Sequence, residues 1–120
     1  MTEWHKMIGD EALAQLHANH REQLPLKGTR SERDFMPVCK LFLPWTSGTW
    51  LLTEMDDDGL AFGLADLGMG TPEIGYLSLD EVMAIRGPGG LRVEKDLHWK
   101  ASKRLSEYAT EARELGYIKE

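Results

Sequence analysis

Two short segments hold most of the side chains suited to acid/base work. Asp66, Glu73 and Tyr76 surround a glycine-rich stretch, and Glu94, Asp96, His98 and Lys100 lie in and just after an alternating run. If both segments meet at one end of a sheet, Asp66, Glu73, Asp96 and His98 gather carboxylates and an imidazole. Such a set suits general acid/base catalysis or hydrolysis assisted by a divalent metal. A nuclease centre of the restriction type wants an acid followed by Glu-x-Lys, whereas this chain has Glu94-Lys95 with nothing between. A polar network that pins two loops explains the same residues with fewer demands. That reading is preferred, and the metal-dependent hydrolase or nuclease is the alternative.

The other constellations read as structure. Glu54 with Asp56, Asp57 and Asp58 is the densest acidic cluster, but a calcium loop needs acids at alternate positions and a distant glutamate. The run Asp56 to Gly59 fits a hairpin turn with Gly59 at positive φ. His17 and His20 are three apart with His5 nearby, and no zinc motif spaces its ligands so. Gly68, Gly70 and Gly75 match neither the dinucleotide nor the phosphate-loop fingerprint and shape a loop. No Gly-x-Ser-x-Gly nucleophile turn occurs, and Cys39 sits in an apolar run as a small hydrophobe. Trp45, Trp50, Trp99, Phe42 and Phe62 could stack bases, but aromatics on strands are more often core.

The elements that would position these groups follow from periodicity. Leu13, Leu16, His20 and Leu24 predict a helix over about 11–23 with Asp10 as N-cap and Pro25 as its stop. A basic loop over 26–36 carries Lys27, Arg30 and Arg33. An antiparallel meander over about 38–66 holds three short apolar runs, the second with one face more buried than the other. The glycine-rich loop spans 67–75. Ser78 and Glu81 form a capping box for a short helix over about 79–86. An edge strand over about 91–96 and a C-terminal helix over about 102–115, ended by Gly116, complete the chain. The class is α+β: one domain over 1–120, with a single antiparallel sheet of about four strands and helices packed on one face.

The 120 residues carry a net charge of −6, with 42% hydrophobic and 28% charged residues, an ordinary balance for a folded domain. Residues 35–90 hold two basic and eight acidic groups, which is the whole excess. Direct nucleic-acid binding, through Lys27, Arg30 and Arg33, is therefore the weakest reading. No run is long and apolar enough to span a bilayer, the first residues lack a secretory pattern, and one cysteine closes no internal disulfide, so a cytoplasmic setting without membrane contact is expected.

The stretch from Asp34 to about Arg113 resembles a bacterial family catalogued as domain of unknown function 2958. The resemblance is carried by Pro37 to Phe42, Thr49 to Glu54, Phe62 to Gly68, Pro72 to Tyr76 and Glu94 to Lys100. It implies that Lys40, Glu54, Asp66, Glu73, Tyr76, Asp96 and His98 belong to a shared pattern, with Cys39 where an aliphatic residue is expected. It further implies a small accessory protein of plasmids, integrative elements or phages. The expectation is a non-enzymatic, cofactor-free protein that binds a protein partner, such as a basic nucleic-acid-handling complex of host defence. Glu54, Asp56, Asp57, Asp58, Asp66, Glu73 and Tyr76 are the candidate binding residues.

Overall fold

The computed structural model describes residues 2–120. A short helix, α1 (Glu3–Ile8), buries Trp4 and Ile8 and breaks at Gly9, whose φ of 88° only glycine adopts readily. Helix α2 (Asp10–Gln23) follows at once. Gly9 occupies the cap position expected for Asp10, which instead adds negative charge to the first turn. Leu13, Leu16, Asn19 and Gln23 are its buried residues, one stripe at helical spacing. Pro25 falls within a 3-10 turn, Leu24–Leu26, that ends the helix.

Five strands then build one sheet: β1 (Cys39–Phe42), β2 (Thr49–Met55), β3 (Leu60–Asp66), β4 (Glu73–Ser78) and β5 (Glu94–Lys95). Helix α3 (Leu79–Ala84) follows β4, and α4 (Leu105–Leu115) follows β5. The strand order is β4-β3-β2-β1-β5, and each pairing is antiparallel. The fold is thus α+β with a single antiparallel sheet, one strand richer than the sequence suggests. The added strand is β4, whose first three residues fall within the expected glycine-rich loop. β3 supplies a ladder from Leu60 opposite Ser78 to Ala65 opposite Glu73, and this pairing outweighs the weak strand propensity of Gly75. Of the run expected over 91–96, only Glu94–Lys95 pairs, against β1 at the far edge.

The helices do not share one face. Trp4, Ile8, Leu13, Leu16, Leu79 and Val82 pack with Cys39, Leu41, Trp50, Leu52 and Ala61, so α1, α2 and α3 cover one side. Leu105, Tyr108, Ala109 and Ala112 of α4 pack on the other with Leu51, Leu64 and Ile118. With apolar layers on both sides, all seven residues of β2 are buried, which corrects the expectation of one drier face. A strand sandwiched in this way reads as a continuous apolar run, and alternation carries no face information.

The pleat of β2 is interrupted once. Leu52 pairs with Gly63 and Glu54 with Phe62, so Thr53 is an extra residue, a β-bulge. Gly63 permits it: a Cβ there would lie 2.0 Å from the carbonyl oxygen of Leu51. Thr53 donates its hydroxyl to the Phe62 carbonyl at 3.3 Å, and its own carbonyl accepts from Asn19 Nδ2 at 2.9 Å. The bulge resets the side-chain phase. In unbroken alternation Glu54 would face α2 with Leu52; instead it joins Leu51 on the α4 side.

Candidate functional site

Strand register places Glu54 of β2, Phe62 of β3 and Tyr76 of β4 side by side on the α4 face, beyond the end of the helix. Phe62 and Tyr76 meet edge to face with centroids 5.0 Å apart. Lys27 lies 4.4 Å from the Tyr76 ring centre and donates to its hydroxyl. Glu54 itself opens into a cleft of about 310 Å³ walled by Gln23, the loop Glu32 to Phe35, Phe62, Ile74, Leu105 and Ser106.

The walls are fixed by hydrogen bonds between distant segments. Gln23 grips the Arg33 backbone twice, donating to its carbonyl at 2.7 Å and accepting from its N–H at 2.8 Å. Asp34 accepts from the Ser106 N–H at 3.1 Å and from its hydroxyl, which satisfies a free donor in the first turn of α4. The Leu105 N–H donates to the Phe35 carbonyl at 2.9 Å. Arg33 is itself paired with Glu22.

Glu54 stands apart from this network. The residue is only 3% exposed, and its Oε1 is buried with no hydrogen-bond partner. Burial pushes its carboxyl above the usual range, opposed by Lys27, the Gln23 amide and His20, while Glu32 adds to the rise. A buried acceptor without a donor costs free energy, and this one belongs to a residue that lines the cleft.

The four acid/base candidates do not converge. Glu73 is on β4 and Asp96 just beyond β5, at opposite edges of the sheet. Four strand spacings of about 4.8 Å separate those edges, roughly 19 Å. Asp66 is buried and structural in its contacts: one oxygen accepts from the Gly68 N–H at 2.9 Å and the other from Ile118 N–H at 3.1 Å. Asp96 accepts from the His98 backbone N–H at 3.0 Å and faces Lys40 at 3.8 Å, which also pairs with Glu120. The His98 ring is exposed. Among the described residues, no group of three or more His, Cys, Asp or Glu could hold a metal ion.

The candidate binding residues divide into three places. Asp56, Asp57 and Asp58 form the β2–β3 turn, where one Asp56 oxygen accepts from the Asp58 and Leu60 N–H groups, both at 2.9 Å. Gly59 supplies the positive φ of 86°. His17, His20 and Arg21 line the same small hollow as these acids. Asp66 and Glu73 lie at the opposite end of β3 and β4. Glu54 and Tyr76 alone meet in a common row. The aromatic residues also divide, with Trp50 in the core of one face and Trp99 against Tyr108 on the other. Of the basic loop, Lys27 and Arg33 are engaged as described.

Gln23, Phe35, Ile74 and Ser106 complete the cleft without having drawn attention in the sequence. They are ordinary core or loop types, joined only by register and by the loop's return to α4. One signal was available: an isolated glycine inside an apolar strand, Gly63, is the mark of a bulge that re-aims a neighbouring side chain.

These features define a small α+β domain whose sheet is covered on both faces and which keeps a buried carboxylate, one oxygen of it without a partner, beside a cleft at its rim. The chain belongs to the family described as "Protein of unknown function (DUF2958)", whose model matches residues 7–119. Neither the curated proteins nor the solved structures returned a match.

Proposed function

We propose that this chain is a non-enzymatic binding protein that docks on a basic surface of another protein. The observation that carries the reading is Glu54: a buried carboxylate, one oxygen of which has no hydrogen-bond partner, on a residue that lines an open cleft next to the exposed Tyr76 of β4. An enzyme of the metal-dependent type would need Asp66, Glu73, Asp96 and His98 within reach of one point, and strand order holds Glu73 and Asp96 apart. The acidic balance of residues 35–90 adds long-range attraction for a basic partner. In the cytoplasm of a bacterium carrying a mobile element, such a domain would act by occupying the basic channel of a nucleic-acid-handling defence complex. No helix among the described residues is long and apolar enough to cross a membrane, in keeping with that setting.

The test is affinity capture from a bacterial lysate at low and high salt, using the wild-type chain and the double variant Glu54→Gln/Tyr76→Ala. A basic protein held at low salt, released at high salt and lost with the variant is the expected result. Equal capture by both chains, or no basic partner at all, would sink the proposal.

A further inference from the structure

We propose that the free edge of β4 accepts an extended segment of the basic partner as a sixth strand, one with an apolar centre and a lysine or arginine at each end. The inference rests on the docking reading above and specifies how the partner is held. Backbone phase defines what the edge offers. The Asp56 N–H donates to the Leu60 carbonyl at 3.0 Å and the Leu79 N–H to the Gly59 carbonyl at 2.9 Å, each in register with its ladder. Bonded pairs recur at every second residue of an antiparallel ladder. Glu73, Gly75 and Leu77 therefore turn their N–H and C=O groups toward β3, and Ile74 and Tyr76 turn theirs outward. Among the described residues, no turn or loop backbone supplies those outward groups with a partner. Lys27 meets Tyr76 at its ring and hydroxyl, away from the backbone.

The two edges of the sheet differ. The far edge, β5, pairs through Glu94 and Lys95 alone, and Lys95 donates to the Ile8 carbonyl at 2.6 Å. A short edge carrying a lysine is protected against a further strand. β4 runs for six residues with no lysine, arginine or proline among them, and none of the six is buried. Strand addition draws affinity from backbone hydrogen bonds and selectivity from alternate side chains. The added strand lies beside Ile74 and Tyr76 on the α4 face and beside Gly75 and Leu77 on the other. A Cβ at Gly75 would meet nothing within 4 Å, which leaves room for a large apolar side chain across from it. Charge selects the ends. Glu73 opens the strand and Asp80 and Glu81 follow it, all exposed. A second copy of this chain would set acid against acid in either direction. Antiparallel self-pairing brings Glu73 toward the Asp80–Glu81 end of the other copy, and parallel self-pairing sets each end against its like. Such like-charge pairs repel, whereas a segment with a cation at each end complements both.

The experiment is an NMR titration with amide-exchange measurement on the full chain, using the peptide acetyl-Lys-Thr-Val-Phe-Val-Thr-Lys-amide. Its controls are two forms N-methylated at alternate residues, one in each phase, and an analogue with Glu at both ends. In the free chain the Ile74 and Tyr76 amides should exchange at least about tenfold faster than those of Gly75 and Leu77, and saturating peptide should slow them by a similar factor. One N-methylated form should bind at least about tenfold more weakly and the other close to the parent, as loss of the hydrogen bonds along one side requires. The Glu-ended analogue should bind about threefold or more weakly at low salt, a difference that shrinks at high salt. Tyr76→Pro removes an outward N–H and leaves the β3 ladder its donors, so it should lose the peptide while keeping the amide spectrum of a folded chain. If that variant fails to fold, the N-methylated pair on wild type decides. Unchanged exchange at Ile74 and Tyr76, equal weakening by both N-methylated forms, or equal binding of the Glu-ended analogue overturns the proposal. Protection of the same amides without peptide, growing with protein concentration alongside a dimer in sedimentation velocity, assigns the edge to a second copy and overturns it equally. A basic partner captured equally by wild type and Tyr76→Pro would leave docking standing while removing the strand. Peptide binding without any captured basic partner would remove the docking reading and leave the strand-accepting edge.

Discussion

A buried carboxylate with one oxygen that has no hydrogen-bond partner works against the fold that holds it. Because burial raises the Glu54 carboxyl above its ordinary 4.5, the folded chain binds that proton more tightly than the unfolded chain does. Its stability contribution is therefore lost as pH rises from the unfolded pKa through the raised folded one. Glu54→Gln should gain on the order of 1 kcal/mol at neutral pH, the size of an unmade charged contact, and lift Tm by a few degrees, about 3–6 °C. The gap between variant and wild type should close below pH 4.5. Thermal melts across pH 4 to 8 measure it, and a destabilised variant at pH 7 would refute the account. Cys39 behaves oppositely, as an inert packing residue. It is 2% exposed, and burial pushes its thiol up to about 12, so almost no thiolate exists at pH 8. A disulfide reagent should label it only as fast as the chain opens, and Cys39→Val should shift stability by less than about 1.5 kcal/mol.

At the scale of elements, the site depends on a bulge, and the bulge depends on Gly63. Replacing Gly63 with Ala forces a Cβ against the Leu51 carbonyl, a backbone atom that cannot rotate away. The two strands must separate or drop the extra residue, which would return Glu54 to the α2 face. Urea unfolding of Gly63→Ala should show a loss of roughly 3 kcal/mol or more, and the Glu54 and Phe62 amides should move in NMR spectra. Parts of this were readable in advance. Ser78 accepts from the Glu81 N–H at 3.4 Å as the N-cap of α3, and Gly116 closes α4 in the left-handed region, because capping signals are local. The short α1 lacks the length for a periodic signal, and β4 hides its strand character behind Pro72 and Gly75. Glu54 was visible as an acid at a strand end. Its burial was not, because that follows from a phase shift set by a residue on the neighbouring strand.

Across the whole molecule, the acidic excess is spread around a sheet covered on both sides, with clusters at both ends of β3. The exposed acids Asp57 and Asp58 sit at one tip and Glu73 near the other, while Glu54 is buried on β2 opposite Phe62. Charges of the two kinds act at different stages of docking. Exposed rim charges attract a partner across a Debye length of about 10 Å at 0.1 M salt and govern the rate of encounter. A desolvated carboxylate acts only after contact, where it governs the rate of escape. For a basic partner identified by capture, Asp57→Lys/Asp58→Lys should slow association several-fold, roughly three- to tenfold at low salt, and leave dissociation little changed. Glu54→Gln should speed dissociation by about tenfold or more with association nearly unaltered, since it removes a buried charged contact and almost none of the outer field. Surface plasmon resonance at two salt concentrations separates the effects. If Glu54→Gln altered only the association rate, the buried carboxylate would be one more element of the general field, and the cleft would have no part in holding the partner.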